Sequence, residues 1–285
     1  MKRLPGLLAL IFPVFTQAQM LKLEVNGGIA NYQGDLQGKR FTLINSKPAF
    51  GLGLNYSISN HFSLRGITSY MHIAANDQNN TTATGIAYRN LNFSSRVLEA
   101  QLALEFDLFN LQERPFTPYV FAGIAAFHFN PYSFDSSGNK VFLKPLSTEG
   151  QGLAAYPDNK PYNTKQIAIP FGAGLKLALS PDIAVAVELN IRKTFTDYLD
   201  DVSKNYVDSA ILFAAKGPRA VAFAYRGHEI HGAPPYPAAG SQRGNPKIKD
   251  WYYTTILRLQ FRILGNSGEK GYRSNKALGC PGKVY

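Results

Sequence analysis

DWYYTTILRLQFRI, residues 250–263, reads with a period of two. Trp251, Tyr253, Thr255, Leu257, Leu259, Phe261 and Ile263 share one face; Tyr252, Thr254, Ile256, Arg258, Gln260 and Arg262 share the other. A β-strand sends alternate side chains to opposite sides, so one face here is apolar and the other carries two arginines. In a soluble sandwich the apolar face turns inward. In a membrane barrel it turns out to lipid and the arginines line the interior. The rest of the chain decides between the two.

Seven further runs alternate in the same way: 21–32, 49–57, 61–73, 96–108, 117–129, 166–179 and 183–192. Several reach ten residues or more, which suits a tilted membrane-spanning strand. Their connections alternate in length. Ile58-Ser59-Asn60, the stretch 109–116 and Ser180-Pro181-Asp182 are short; 33–48, 74–95, 130–165 and 193–249 are long. Outer-membrane barrels pair tight periplasmic turns with long outer loops in this way. An even strand number leaves both chain ends on the periplasmic side. The expected fold is an all-β, eight-stranded antiparallel up-and-down transmembrane β-barrel over 19–264.

The polar faces of these runs hold Lys22, Glu24, Arg65, Glu99, Glu105, Lys176, Glu188, Arg192, Arg258 and Arg262. An eight-stranded barrel is just wide enough for side chains to fill. Charges there must pair to offset desolvation, and mixed signs allow that, whereas a soluble core would not tolerate ten charges. A salt-bridged plug is therefore expected rather than a pore. Tyr70, Tyr88, Tyr119, Trp251 and Tyr253 fall near strand ends, where aromatic girdles belong.

The chain has 285 residues and a formal charge of +11. Its single cysteine, Cys280, excludes an internal disulfide framework and CxxC-type metal sites. Residues 1–18 read as a cleaved secretory signal: Lys2 and Arg3, an apolar stretch to Phe15, then Thr16-Gln17-Ala18. Pro5 and Pro13 argue against a retained helical anchor. Residues 265–285 are basic and poor in apolar groups, and are expected to form a flexible periplasmic tail. The basic residues are spread over loops, tail and interior, which argues against nucleic acid. The expected surroundings are outer-membrane lipid, with attraction to anionic headgroups or glycans a milder expectation.

Four segments carry a resemblance: ANYQGDL (30–36), RPFTPYVFAGIAAFHFNPY (114–132), RKTFTDYLDDVSKNYVD (192–208) and RGNPKIKDWYYTTILRLQF (243–261). In them the chain is similar to the PorG-like family of outer-membrane barrels, associated with the type IX secretion machinery of Bacteroidota. The resemblance implies an eight-stranded barrel without catalysis or cofactor. It also implies periplasmic ring proteins of the secretion and gliding apparatus as partners, tethered to the outer membrane. The alternatives are a general surface or ligand-binding barrel working through its long outer loops, and an enzyme with a site at the rim.

Asp197, Asp200, Asp201 and Asp208 crowd one loop and could hold Ca²⁺, although the spacing fits no EF-hand. The alternative is a segment folded over the rim, with Tyr198, Leu199 and Val202 packed inward and Arg192 and Lys193 as partners of the carboxylates. Asn245, Pro246, Asp250 and Trp251, on the far side of the same loop, are expected to meet it. His228-Glu229-Ile230-His231 is HExH, not HExxH, so the i, i+4 pairing of a zinc protease is missing. His72 and His128 end strands on the outer side and are the residues a rim enzyme would use, but no GxSxG motif accompanies them.

Overall fold

The computed structural model describes residues 20–79 and 86–265. The proposed signal peptide and all but the first residue of the proposed tail, Cys280 included, lie outside them. Ten strands run in chain order: β1 Met20–Gln33, β2 Lys47–Ser57, β3 Phe62–Asn76, β4 Asn92–Asp107, β5 Phe116–His128, β6 Pro131–Phe134, β7 Lys140–Phe142, β8 Lys165–Ala178, β9 Ile183–Thr194 and β10 Trp251–Leu264. Eight of them close a barrel. Each long strand pairs antiparallel with the next in the chain, β5 with β8 across the third outer loop and β10 with β1 to close the ring. The small β6–β7 hairpin extends the sheet outward, pairing Tyr132 with Ser94 of β4.

The barrel strands match the eight periodic runs, with one sizeable shift. The fourth begins at Asn92 rather than Arg96, and the third continues to Asn76. These added residues pair with one another above the apolar zone, where Asn92, Ser94 and Asn76 are half-buried polar residues and the apolar alternation fades. Alternation marks the part of a strand that touches lipid, not its whole length.

The wall is apolar on the outside and charged on the inside. Ile124 and Ile167 are 68% and 64% exposed, while Arg65, Arg258, Glu105 and Glu99 are 0% exposed. Such a broad exposed apolar belt is unstable in water and belongs against hydrocarbon. No helix among the described residues is long and apolar enough to cross a membrane.

Two glycines make room inside. A methyl group at Gly174 would lie 2.5 Å from the Tyr119 ring, and one at Gly172 would lie 2.7 Å from Phe121. Both rings lean from β5 across β8 into the lumen. This corrects the expected girdle: Tyr119 is 2% exposed and points inward. Tyr88 stands on the short helix α1, Ile86–Arg89, not at a strand end. Tyr253 faces out but is covered by the first loop, with Phe41 edge-on at 5.3 Å and Thr42 hydrogen-bonded to its hydroxyl. Tyr70 and Trp251 keep outward places.

The inner ends of the strands meet in short turns at 58–61, 108–115 and 179–182. The outer ends carry everything else. The fourth loop holds helices α2, Ser209–Lys216, and α3, Pro218–Ala224. Its strongest local signal is Asp208, whose side chain accepts from the amides of Ala210 and Ile211 and caps α2. Buried Leu199, Val202, Leu36, Phe223 and Phe129 gather the outer loops into one core with the upper strands.

Candidate functional site

Two buried arrays occupy the axis of the molecule, one inside the barrel and one at its outer mouth. In the lower array β3, β4, β9 and β10 project Arg65, Glu105, Glu188 and Arg258 toward one another. Arg65 reaches Glu188 at 2.5 Å and Glu105 at 3.1 Å. Arg258 reaches Glu105 at 2.7 Å and Glu24 at 3.3 Å. Lys176 bridges Glu105 and Asp107, each at 2.7 Å. The Tyr119 hydroxyl donates to Glu188 at 2.8 Å, and its ring lies under the Arg258 guanidinium at 4.7 Å. The arrangement satisfies charges that would be costly to bury singly.

A second layer lies above. Arg192 holds Glu99 at 2.9 Å and donates to Thr254, and the Tyr252 hydroxyl donates to Glu99 at 2.6 Å. Between the layers remains a cavity of about 10 Å³ lined in part by Asn26, Gln101, Asn190 and Thr254, room for about one water. Above Glu99 the filling turns aromatic: Tyr252 meets Phe127, Phe127 meets Phe129, Phe129 stacks on Tyr162, and Tyr162 stacks on Tyr198 at 4.7 Å.

The cap at the mouth joins segments from all four outer loops. Tyr32 Oη lies 2.6 Å from Asp200 Oδ2 and 2.9 Å from Asp250 Oδ1. A phenol has one proton to donate, so the pair is fully satisfied only when one of the two carboxyls itself carries a proton. Asp250 also accepts from Leu199 N, and Asp200 from Val202 N. Asp201, in the left-handed conformation at φ 66°, accepts from Thr148 and Tyr162. Glu149 accepts from Ser203 N, Lys204 N and Arg243. Arg243 also binds the carbonyls of Ala224 and Asp201. Arg89 grips Asp77 with two nitrogens and contacts the carbonyls of Asp35 and Arg243. Asp35 accepts from Asn245 N, and Asp197 from Ser203 Oγ.

Acids outnumber cations here, and their proton affinities follow. Burial pushes Asp200 and Asp250 well above the usual carboxylate range, and neighbouring Asp35 and Asp200 push them, respectively, in the same direction. Burial raises Asp197 to about 7, with the Ser203 hydrogen bond opposing. Burial raises Asp201 to about 6 against the Arg243 charge. Removal from water disfavours the charged form of each acid.

Several expectations hold and several are corrected. Lys176, Arg65, Glu24, Glu99, Glu105, Glu188, Arg192 and Arg258 do line the interior. Arg262 does not join them; it turns to the inner rim and binds Asp182 and the Pro181 carbonyl of the turn. Lys22 faces the lower array near Glu105 and Asp107 but makes no ion pair among the described residues. The acidic segment does fold over the rim with Leu199 and Val202 buried, and it meets the 243–250 segment. Its cationic partners are different from those expected. Arg192 is taken by Glu99 one layer down, Lys193 points outward, and Arg243 and Arg89 serve the cap instead.

The four aspartates do not converge on a cation: Asp208 caps α2, and Asp197, Asp200 and Asp201 have separate donors. Among the described residues no group of His, Cys, Asp or Glu is arranged to hold a metal. His228 and His231 are exposed, and Glu229 pairs with Arg226 at 2.8 Å. His72 and His128 stand on the outside of the wall, away from the cap. Pro246 lends its carbonyl to Lys249, and Trp251 packs edge-on to Phe171 outside the barrel.

Asp107 and Tyr252 of the interior array are legible as inward by parity with Glu105 and Arg258; Tyr119, on β5, shares a strand with neither. Thr148, Glu149, Tyr162, Asp77 and Arg89 carried no such signal, because they sit in irregular loops.

A family model described as Domain of unknown function (DUF6089) matches residues 1–213. No curated protein matches the sequence. Among solved structures the chain is similar to Ail, the attachment invasion locus protein of Yersinia pestis, at 9% identity over 87% of this chain and 100% of that one, TM-score 0.41. It is also similar to the outer membrane protein OprG from Pseudomonas aeruginosa, at 11% identity over 87% of this chain and 99% of that one, TM-score 0.41. Neisserial surface protein A is similar at 8% identity over 85% of this chain and 97% of that one, TM-score 0.40.

Proposed function

The chain belongs to the DUF6089 family, and from that premise we propose that it is a sealed outer-membrane barrel that anchors a protein assembly rather than conducting solute. The observation that carries this reading is the filled axis: two charge layers, an aromatic stack and a hydrogen-bonded cap lie in series. A barrel so filled offers rigid surfaces, not a passage. It reaches the membrane by export through the cleaved signal and works without catalysis, cofactor or nucleic acid.

The assembly implied by the resemblance is the type IX secretion and gliding apparatus, with periplasmic ring proteins held through the short turns and the tail. Three of the four segments that carry that resemblance, 30–36, 192–208 and 243–261, come together in the cap through Tyr32, Asp200, Asp250, Asp35 and Asn245. A second reading is favoured by the same observation. An ordered cap on the outer side suits a surface barrel that binds ligand or partner there.

Mild cross-linking in outer membranes, followed by identification of what co-purifies, separates the two. Periplasmic ring components, lost when turns 58–61, 108–115 or 179–182 are altered, support the secretion reading. Properly inserted barrel recovered alone, or with a partner lost only when the cap is altered, removes it.

A further inference from the structure

We propose that Arg96, His72 and Lys140, with the aromatic rings of the β6–β7 hairpin, form a binding site for the phosphate of an anionic lipid headgroup at the outer edge of the lipid belt.

The site is placed by register. Arg96 on β4 sits directly opposite His72 on β3, and one outward-facing step below them are Leu98 and Tyr70, 53% and 47% exposed. That pair marks the top of the apolar belt. Above β5 the hairpin takes over beside β4, so Tyr132, Phe142 and Lys140 share this outer side. Lys140 Nζ lies 3.8 Å from the centre of the Tyr132 ring and 4.7 Å from that of Phe142. Aromatic rings beside cations at the edge of an apolar band are the composition of a headgroup zone.

The charges are free for a ligand. Arg96 Nε donates to His72 Nε2 at 3.3 Å, so that imidazole nitrogen is an acceptor and the rest of the guanidinium fork has no carboxylate. Neither Arg96 nor Lys140 makes an ion pair among the described residues. In the lumen, by contrast, Arg65, Arg192, Arg258 and Lys176 each hold a carboxylate. The acid of the hairpin, Asp135, is occupied by Ser137 N, Asn139 N and Asn139 Nδ2 in its own turn. Lys47 adds a further positive charge acting on His72. A planar guanidinium and an ammonium near enough for the Arg96 charge to act on Lys140, beside apolar wall, match a phosphate carried on acyl chains: the fork takes the phosphate and the belt below takes the chains. A free phosphate would gain nothing from the belt.

The test uses the full chain, purified in detergent and loaded with bisphosphorylated lipid A or with its dephosphorylated form, and counts retained lipid by native mass spectrometry. The proposal expects retention of the phosphorylated form, lowered about tenfold in the double variant Arg96→Gln/Lys140→Gln, roughly the loss of one good polar contact in affinity. The loop variant Lys39→Gln/Arg40→Gln is expected to match wild type, and excess inorganic phosphate to leave retention unchanged. Equal retention of both lipids, or by wild type and double variant, overturns the proposal. Displacement by inorganic phosphate overturns the lipid as the source and assigns a free anion. If the double variant fails to fold, Lys140→Gln alone, on the hairpin outside the barrel ring, decides on the same readout.

Discussion

Arg258 places Nη1 2.7 Å from Oε2 of Glu105, joining the last barrel strand to the fourth across the lumen, 153 positions apart. Glu105 also receives Arg65 and Lys176. Removing its charge leaves three cations competing for Glu24, Glu188 and Asp107. Breaking a buried pair costs about 3–5 kcal/mol because the remaining charge stays desolvated. Glu105→Gln is expected to fall in this range in urea unfolding from lipid vesicles, followed by gel mobility. Arg262→Gln removes a rim contact to the exposed Asp182 and is expected to cost under about 1 kcal/mol. Equal losses for the two variants would contradict the layered lumen.

The same filling predicts electrical silence. Reconstituted in planar bilayers, the wild-type barrel is expected to give no discrete conductance steps. Asp250→Ala, which loosens the cap, should also remain silent, because the Glu99–Arg192 and Glu105–Arg258 layers lie beneath it. Steps seen only in the cap variant would show that the cap alone closes the lumen. Steady steps in wild type would refute the anchor reading.

The cap should loosen as pH rises. Its acids hold protons when folded that they release when the loop opens to water, because burial raises their proton affinity. An acid raised this way contributes stability below its ordinary value of 3.8 and loses it as pH climbs to its folded value, about 6 for Asp201 and about 7 for Asp197. Hydrogen exchange at Leu199, Val202 and Ser203, corrected for the intrinsic pH dependence, should therefore show less protection at pH 8 than at pH 5. Protection that stays level or rises would remove the shared-proton account of Tyr32, Asp200 and Asp250.

How far the sequence can be read follows from what repeats. Strands 183–194 and 251–264 announce themselves because every second residue meets lipid, so the pattern is written many times. Inward charges followed from the same parity. Tyr119 broke the aromatic expectation because ring position alone does not say which face it takes. The cap was half legible: the 192–208 and 243–261 segments pointed to each other. Their counterparts Glu149, Arg89 and Asp77 sit in loops with no period, where a single residue matters once. Arg192 pairs with Glu99 rather than with Asp197 or Asp200 because its inward parity, which hands it to Glu99, outweighs its closeness in sequence to the loop acids.

Gly34 offers the sharpest single test of the cap. Its backbone is not in the left-handed region, so a methyl group there brings no strain of its own. The methyl would instead lie 2.0 Å from Asp250 Oδ1 and 2.0 Å from Tyr32 Oη, the two atoms that share a hydrogen bond. Neither can yield without giving up that bond, and both side chains are buried at 1% or less. Overpacking of this kind costs about 1–3 kcal/mol. Gly34→Ala is expected to speed proteolysis and hydrogen exchange in 195–208 while leaving the heat-modifiable gel mobility of the barrel unchanged, since the lumen layers do not depend on the cap. Gly27→Ala, where the methyl meets nothing within 4 Å, is the control and should leave the cap as it is. If Gly34→Ala behaves like Gly27→Ala, Tyr32 and Asp250 are not held against each other as described. If instead it abolishes barrel formation, the cap is part of the folding unit rather than a lid on a finished barrel.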